Sequence, residues 1–361
     1  MLTFHSLRVA GIHPEAEDAV SISLDVPAEL RETYHGLPGQ HVVVKTEIND
    51  DENRRTYSVV SPPGESPLRI VARVHAAGHM SRYFAEQLNE GDELDVLPPN
   101  GSFTPRRDAH GKGRYVAFAS GCGITPVLSI VRSLLSADKT NRVVLFYGNA
   151  STGRTMCMEE LLALKDRYID RLSLHFVMSR EPQEVGLYNG RIDPAKVREF
   201  AQALFSPADV TEYFICGPGN MIDEVSATLR QLGVEADRIH GEHFTLATTT
   251  AAERVPEVVT PAKAAAAKET EVTVLMDGRR RTFTMRMNDE VILDAAMRAG
   301  LELPFSCRAG VCSTCRTKVV RGEVEMAQNY ALEDWEVEQG YILACQSCAK
   351  TPVLELDYDE K

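Results

Sequence analysis

The sequence lacks any run of about 18 apolar residues, so no segment predicts a membrane span. Its N-terminus also lacks the basic stretch, apolar core and cleavage site of a secretory signal, and we expect a cytoplasmic protein. Positive charge is scarce: 39 lysine and arginine residues against 52 aspartate and glutamate residues give a net charge of −13 at pH 7. This balance excludes nucleic-acid binding through a broad basic surface.

The composition is otherwise that of a folded protein with two or three domains. Of the 361 residues, 43% are hydrophobic and 25% are charged, which excludes extended disorder for most of the length. A domain usually takes about 100–200 residues. Eight cysteines are present, and the last five all lie in the C-terminal quarter, four of them at Cys307, Cys312, Cys315 and Cys345. In a cytoplasmic chain such clustering indicates metal binding before disulfides.

Residues 1–108 predict an antiparallel β-barrel. Short strand-like runs are separated by proline and glycine, and their spacing leaves no room for alternating helices. One helix is expected, with a serine as its N-cap. The predicted strands include Ala19–Leu24, His41–Lys45, Tyr57–Ser61 and Leu68–His75, and the helix is Ser81–Leu88 with Ser81 as the cap.

Residues 112–245 predict an α/β domain with a parallel sheet, because apolar runs alternate with helical segments. The predicted strands are Tyr115–Ala119, Val143–Tyr147, Leu172–Met178 and Tyr213–Cys216, and the helices are Val127–Leu135 and Met158–Asp166. The first strand runs into Gly121-Cys122-Gly123-Ile124-Thr125-Pro126, which opens a helix. Such a turn suits a dinucleotide pyrophosphate, with Gly121, Gly123, Thr125 and Pro126 as candidate contacts.

Residues 246–270 are rich in alanine, threonine and proline and predict an interdomain linker. Residues 271–361 predict a compact α+β unit. In that unit Val272–Met276 and Thr282–Met285 flank Asp277-Gly278, a strong hairpin signal, and Ile292–Ala299 predicts a helix that Gly300 ends.

Four cysteines in this unit carry a metal signature. Cys307-x4-Cys312-x2-Cys315, with Cys345 after 29 further residues, is the plant-type [2Fe–2S] spacing. The loop is small and flexible, so its backbone N–H groups can point at the sulfurs. The alternative is a structural zinc site, with Cys345-x2-Cys348 as a second knuckle.

Two segments of the barrel resemble the flavin-binding motifs of ferredoxin–NADP reductase-like enzymes. These are Arg55-Thr56-Tyr57-Ser58, and Val71–Val74 followed by Gly78–Ser81. The resemblance implies that Tyr57 stacks on FAD, that Arg55 binds its pyrophosphate and that Ser58 lies near N5. The alternative is a plain strand with a surface arginine. The further FAD contacts implied are Val74, His75, Gly78, Met80, Ser81, Thr125 and Phe244.

The α/β domain resembles the nicotinamide domain of the same family through Cys216-Gly217-Pro218. The resemblance implies that the Cys216 thiol lies beside the nicotinamide, which makes Tyr57, Ser58 and Cys216 the catalytic candidates. It also implies that Ser179 and Arg180 hold the 2′-phosphate, with Arg191 in reach, so NADPH is favoured over NADH. The alternatives are a buried cysteine and solvated arginines.

The three blocks, in this order, resemble the reductase components of multicomponent oxygenases. The resemblance implies a C-terminal β-grasp ferredoxin domain in which Cys345 is the fourth ligand and Cys348 is a spare buried thiol. It implies an NAD(P)H:acceptor oxidoreductase that takes a hydride from NADPH and passes electrons singly, through FAD and the [2Fe–2S] cluster, to a di-iron oxygenase.

Within the family, RRTYSVVSPP, CGPGNMI and the cysteine tail resemble reductases that serve phenylacetyl-CoA epoxidases. Reductases of 3-ketosteroid hydroxylases and of hybrid-cluster proteins share the layout. An autonomous NAD(P)H oxidase and a zinc-bearing interaction module also remain as alternatives.

Overall fold

A computed structural model describes residues 3–49, 51–106, 113–244 and 269–360. The chain forms two compact units, one from Phe4 to Phe244 and one that contains the described C-terminal residues. Most of the predicted linker, residues 246–268, lies outside the described residues. Its last two positions, Glu269 and Thr270, are already in a strand. No helix in the described ranges has the length and apolarity to span a membrane.

The N-terminal part of the first unit is an antiparallel barrel of six strands, in the order β4-β3-β6-β1-β2-β5. A single bridge joins Val59, directly after β4, to Ile70 on β5, so the two ends of this strand order come together. The strands are β1 (His5–Ala16), β2 (Ala19–Asp25), β3 (His41–Ile48), β4 (Asp51–Ser58), β5 (Leu68–Arg73) and β6 (Glu93–Val96). Helix α1 (His79–Glu86) follows β5.

The predicted strand Tyr57–Ser61 is wrong in its bounds. Strand β4 ends at Ser58 and extends back to Asp51, where it pairs with β3 over eight residues. Its polar start, Asp-Glu-Asn-Arg-Arg, has low strand propensity, and the hairpin pairing with β3 overrides that propensity. Pro62 and Pro63 cannot donate ladder hydrogen bonds beyond Ser61.

The second part of this unit is a parallel five-stranded sheet in the order β11-β10-β7-β8-β9. After β9 the chain crosses back, so β10 lies beside β7 and the strand order reverses there. The strands are β7 (Arg114–Ser120), β8 (Arg142–Asn149), β9 (Leu172–Met178), β10 (Glu212–Gly217) and β11 (Ile239–His243). The helices are α2 (Ile124–Ala137), α3 (Met158–Arg167), α4 (Pro194–Ala203) and α5 (Gly219–Gln231).

Ion pairs join the barrel to the parallel-sheet domain. Glu160 on α3 accepts hydrogen bonds from Arg69 on β5 and Arg132 on α2. Asp18, between β1 and β2, pairs in the same way with Arg73 and Arg154. These partly buried carboxylates each bind two guanidinium groups, which holds β5 against the start of α3.

The C-terminal unit has a mixed five-stranded sheet, β13-β12-β18-β14-β16, and a separate β15-β17 ladder. Asp277 and Gly278 form the predicted hairpin turn, both with left-handed φ (+54° and +69°). The strands are β12 (Glu269–Met276), β13 (Arg279–Arg286), β14 (Arg316–Arg321), β15 (Val324–Met326), β16 (Tyr341–Leu343), β17 (Ser347–Ala349) and β18 (Val353–Asp357). The helices are α6 (Ile292–Arg298) and α7 (Asp334–Glu338).

Candidate cofactor sites

The carboxyl ends of β7 and β10 meet where the strand order reverses, which is where open α/β sheets bind ligands. A Cβ on Gly123 would lie 2.0 Å from the carbonyl oxygen of Cys216 and 2.8 Å from the nitrogen of Gly217. Only glycine therefore lets the turn after β7 pack against the end of β10.

Gly121 begins this turn with a left-handed φ of +55°. A Cβ at this position would meet no atom within 4 Å, so the turn leaves open space near the N-terminus of α2. Thr125 donates a hydrogen bond to the Cys122 carbonyl oxygen at 2.9 Å, and Thr125 and Pro126 are buried in the first turn of α2. The open space at a helix N-terminus fits a pyrophosphate.

Cys216 is fully buried near the end of β10, and Gly217 and Pro218 follow it. Burial raises the pKa of the Cys216 thiol well above its ordinary value, and Glu242 on β11 acts in the same direction. The thiol is therefore protonated. A neutral sulfur of this kind suits contact with an uncharged ring rather than nucleophilic attack.

Tyr57 and Ser58 end strand β4. The Tyr57 ring lies 5.3 Å from the ring of Phe84 on α1, and burial raises the pKa of the Tyr57 hydroxyl above its ordinary value. The Ser58 Oγ is buried and has no hydrogen-bond partner among the described residues. A buried hydroxyl without a partner costs folding free energy. Ser58 therefore fits a role in which a polar atom of a bound flavin is its hydrogen-bond partner.

A buried His–Glu pair connects Ser58 with Cys216. Ser58 pairs with His41 across the β3–β4 hairpin, and Glu242 pairs with Cys216 between β11 and β10. The His41 Nδ1 lies 3.6 Å from the Glu242 Oε1. Two strand pairings and one side-chain contact thus link the residue expected at the flavin N5 to the residue expected at the nicotinamide.

The sequence did not single out His41, Glu242 or Cys122 as site residues. The Cys122 thiol raises the pKa of both the Tyr57 hydroxyl and the Cys216 thiol, which indicates that it lies near both groups. Glu242 lies two residues before Phe244, in the segment that the sequence did identify. That segment was the one sequence signal that could have pointed to Glu242. His41 gave none, because it begins an ordinary apolar strand.

Arg55 is exposed on the polar side of β4. Its guanidinium donates a hydrogen bond to the Arg54 carbonyl oxygen at 2.7 Å and forms no ion pair within the described ranges. Its charge is therefore available to an anion such as a pyrophosphate.

The predicted N-cap role of Ser81 is wrong. Helix α1 begins at His79 with Gly78 as its N-cap, and Ser81 is buried inside the first turn. The Ser81 Oγ instead accepts a hydrogen bond from the His75 N–H at 3.2 Å. A Cβ on Gly78 would lie 2.5 Å from that oxygen, which explains the glycine. In the same segment Val74 is half-buried, His75 is exposed and Met80 is buried.

Ser179 and Arg180 follow β9 with exposed side chains. Their N–H groups donate to the carbonyl oxygens of Asn149 and Ala150 at 2.9 Å each, which fixes the turn against the end of β8. Neither Arg180 nor the exposed Arg191 has an ion-pair partner among the residues the structure describes. Phe244, half-buried, packs against the same core cluster as Cys122.

The four predicted cluster cysteines lie together. The Cys345 sulfur is in hydrogen-bond contact with the thiols of Cys307 and Cys315, and Cys307 is also in contact with Cys312. None of the eight cysteines forms a disulfide. Four thiols that meet without disulfides are the donor set that two irons need.

Backbone N–H groups point at these sulfurs. The N–H of Ala309 lies 3.4 Å from the Cys307 Sγ, and the N–H of Cys307 lies 3.5 Å from the Cys312 Sγ. Left-handed φ values at Arg308, Gly310 and Ser313 turn the peptides of the loop. N–H groups directed at sulfur stabilise anionic thiolates, so the loop fits an iron–sulfur cluster.

Cys348 is half-buried rather than buried as predicted, because it lies in β17 opposite Glu325. In the described parts of the chain, no group of three or more His, Cys, Asp or Glu side chains is arranged to hold one single metal ion.

Three family models match the chain in the predicted order. An oxidoreductase FAD-binding domain matches residues 7–104, an oxidoreductase NAD-binding domain matches residues 118–227, and a 2Fe-2S iron–sulfur cluster binding domain matches residues 274–350. The third match decides between the two metal alternatives in favour of the cluster. The predicted fold class, with its barrel, α/β and ferredoxin domains, is confirmed.

Full-length relatives share this layout. The chain is 39% identical to one of the subunits of 1,2-phenylacetyl-CoA epoxidase from Escherichia coli, with 100% of this chain and 99% of the relative covered. It is 32% identical to the ferredoxin reductase component of 3-ketosteroid-9-alpha-monooxygenase from Rhodococcus rhodochrous, with 98% and 96% covered. The fold matches the solved structure of phthalate dioxygenase reductase with a TM-score of 0.58, 24% identity and 98% of each chain covered.

Proposed function

The chain belongs to the family of oxygenase reductases that join FAD-binding, NAD-binding and 2Fe–2S domains, and from that premise we propose its acceptor, its coenzyme and its site residues. The protein is an NAD(P)H-dependent oxidoreductase, and its family passes electrons to a protein acceptor.

The acceptor that we propose is the di-iron oxygenase of a phenylacetyl-CoA epoxidase, in phenylacetate catabolism. The support is the 39% identity over the whole chain to a component of that enzyme, against 32% to a 3-ketosteroid monooxygenase reductase. A 3-ketosteroid hydroxylase or a hybrid-cluster protein is the second candidate acceptor. The iron–sulfur site and the absence of disulfides fit a reducing compartment, and we propose the cytoplasm.

The observation that carries the mechanism is the link from Ser58 through His41 and Glu242 to Cys216. When bound, FAD takes a hydride as two electrons and the cluster passes electrons one at a time. The chain's own role is to orient the reacting rings. Ser58 offers a hydroxyl to the flavin edge, and the neutral Cys216 packs against the nicotinamide.

The remaining contacts hold the cofactors in place. Tyr57 covers a flavin face and Phe244 the other, and the Arg55 guanidinium binds the pyrophosphate. The NADPH pyrophosphate lies in the turn at Gly121 and Gly123. The other FAD contacts in the proposal are Val74, His75, Gly78, Met80, Ser81 and Thr125, and the other NADPH contacts are Thr125, Pro126, Gly217 and Pro218.

The coenzyme that we propose is NADPH. Ser179 and Arg180 extend from the end of β9 with exposed side chains, and Arg180 and Arg191 are unpaired in the described structure. Two such cations suit a 2′-phosphate.

Cys307, Cys312, Cys315 and Cys345 are the proposed cluster ligands. The domain limits that we propose are 1–108, 112–245 and 271–361 as the sequence predicts, except that the third domain already begins at Glu269, the first residue of β12, and the linker ends before it. They are supported by the end of the barrel at Val96, the start of the parallel sheet at Arg114 and the family matches.

The test is reconstitution of the purified chain, loaded with FAD and iron–sulfur, with isolated oxygenase components and NADPH. We expect coupled turnover with the phenylacetyl-CoA epoxidase oxygenase and at most about a tenth of that rate with a 3-ketosteroid hydroxylase oxygenase or a hybrid-cluster protein. The matched control is Cys345→Ser, which must keep ferricyanide reduction through the flavin and lose transfer to the oxygenase. Equal or higher turnover with another acceptor would overturn the proposed partner.

A further inference from the structure

Tyr358 has a buried hydroxyl that the mechanism above does not use. It follows β18, and its Oη is shielded from solvent and has no hydrogen-bond partner among the described residues. Its backbone is fixed, because its N–H donates to the Leu275 carbonyl oxygen at 2.9 Å. A fixed, buried and unpaired hydroxyl costs stability unless a bound group accepts its proton.

The sheet brings this hydroxyl to the cysteines. Strand β14 begins directly after Cys315 and pairs antiparallel with β18, with Lys318 opposite Asp357. The same register places Tyr358 across from Thr317, next to the end of β14 where Cys315 lies. Strand β16 pairs with the other edge of β14 and leads to Cys345 two residues after its end.

The packing agrees with this register. Cys315 and Cys345 belong to the hydrophobic core of the unit, and Tyr358 packs against that core. Apart from burial, the groups that raise the pKa of the Tyr358 hydroxyl are the Cys315 and Cys345 thiols. The strand register and the shared core together place Tyr358 on the side of the cysteine group that Cys315 and Cys345 form.

We propose that Tyr358 donates a hydrogen bond to a sulfur on the Cys315–Cys345 side of the bound iron–sulfur group and so stabilises its reduced state. The proposal rests on the assignment of the four cysteines as ligands. One electron enters the cluster on reduction, and the hydroxyl keeps its proton. Because the added charge is shared by the sulfurs, a hydrogen bond to them is stronger in the reduced state, which makes the cluster easier to reduce.

The test is Tyr358→Phe, which removes the hydroxyl and keeps the ring. We expect the one-electron equilibrium constant for cluster reduction to fall about three- to tenfold, a shift of about 30–60 mV to lower potential. The measurement is an anaerobic redox titration of the full chain, with the reduced cluster followed by electron paramagnetic resonance and the flavin by absorbance. The midpoint potential of the flavin must not change.

Two further variants make the result specific. Tyr341→Phe removes a hydroxyl from the same unit and must leave the cluster potential unchanged. The Cζ of Arg316 lies 3.6 Å from the centroid of the Tyr341 ring, and phenylalanine keeps this ring. Tyr358→Met removes both ring and hydroxyl and must reproduce the shift seen with phenylalanine.

An unchanged or raised cluster potential in Tyr358→Phe would overturn the proposal, as would an equal shift in Tyr341→Phe. Loss of the cluster in Tyr358→Phe, with the cluster kept in Tyr341→Phe, would also overturn it, since Tyr358 would then be needed for packing. Absence of two irons from the unmodified chain would instead contradict the ligand assignment itself.

Discussion

Gly123→Ala tests most sharply the contact between the turn after β7 and the end of β10. The new Cβ would lie 2.0 Å from the Cys216 carbonyl oxygen and 2.4 Å from its carbonyl carbon. An ordinary contact begins near 3.4 Å, so the two backbones must separate by about 1.4 Å. Cys216 cannot rotate away, because β10 is hydrogen-bonded between β7 and β11.

The separation sets the size of the effect. A displacement of about 1 Å at a reaction site costs about 100-fold in rate. Overpacking of this kind costs about 1–3 kcal/mol, and each kcal/mol lowers the Tm of a unit this size by about 2–4 °C. For Gly123→Ala we expect flavin reduction by NADPH to slow about 100-fold, with a Tm about 2–12 °C lower.

The assay is anaerobic stopped-flow reduction of the FAD-loaded chain by NADPH, together with a thermal melt. The matched control is Gly186→Ala, where a Cβ meets nothing within 4 Å and φ is not left-handed, and which must behave as the unmodified chain. A Gly123→Ala protein with unchanged rate and Tm would refute the close contact and the site built on it.

Four further results are expected. Ser58→Ala slows hydride transfer at least about tenfold without loss of Tm, because its hydroxyl has no described partner to lose; an unchanged stopped-flow rate would contradict its role. Because burial holds the pKa of Cys216 above its ordinary range, the rate of flavin reduction shows no ionisation of this thiol between about pH 6 and about pH 9. A pH-dependent change of the rate in this range that disappears in Cys216→Ala would contradict the raised pKa. Glu160→Gln lowers the free energy of unfolding, measured by urea denaturation, by about 1–2 kcal/mol, because the substitution removes a half-buried negative charge between two guanidinium groups. The same substitution at the exposed Glu159 lowers it by less than about 0.5 kcal/mol. Arg180→Ala raises the KM for NADPH at least about tenfold and leaves the KM for NADH unchanged; an equal rise for both coenzymes would remove it from the 2′-phosphate site.

Local sequence patterns predicted much of the fold. The alternation of apolar runs and helical segments identified the parallel sheet, and Leu172–Met178 is the observed strand β9. The Asp277-Gly278 hairpin was predicted because both residues tolerate left-handed φ. Strand β4 was misplaced because its pairing with β3, rather than the propensity of its charged residues, decides its length.

The parts of the site that the sequence did not predict depend on long-range contacts. His41 and Glu242 belong to different domains, and His41 occupies a strand position with no distinctive neighbours. Their contact joins β3 of the barrel to β11 of the parallel sheet, and a contact between two different sheets leaves no local pattern in the sequence. The same holds for Tyr358, because Cys315 precedes β14 and Cys345 follows β16, both far from Tyr358 in the sequence.

Anaerobic titration of the purified full chain with NADPH tests the central claim directly, with FAD and iron quantified and reduction followed by absorbance and electron paramagnetic resonance. We expect one FAD and two irons per chain, bleaching of the flavin band, and then the signal of a reduced [2Fe–2S] cluster, which Cys345→Ser abolishes. Flavin bleaching with a cluster that stays oxidised under excess NADPH would contradict the path of electrons from NADPH through the flavin to the four cysteines.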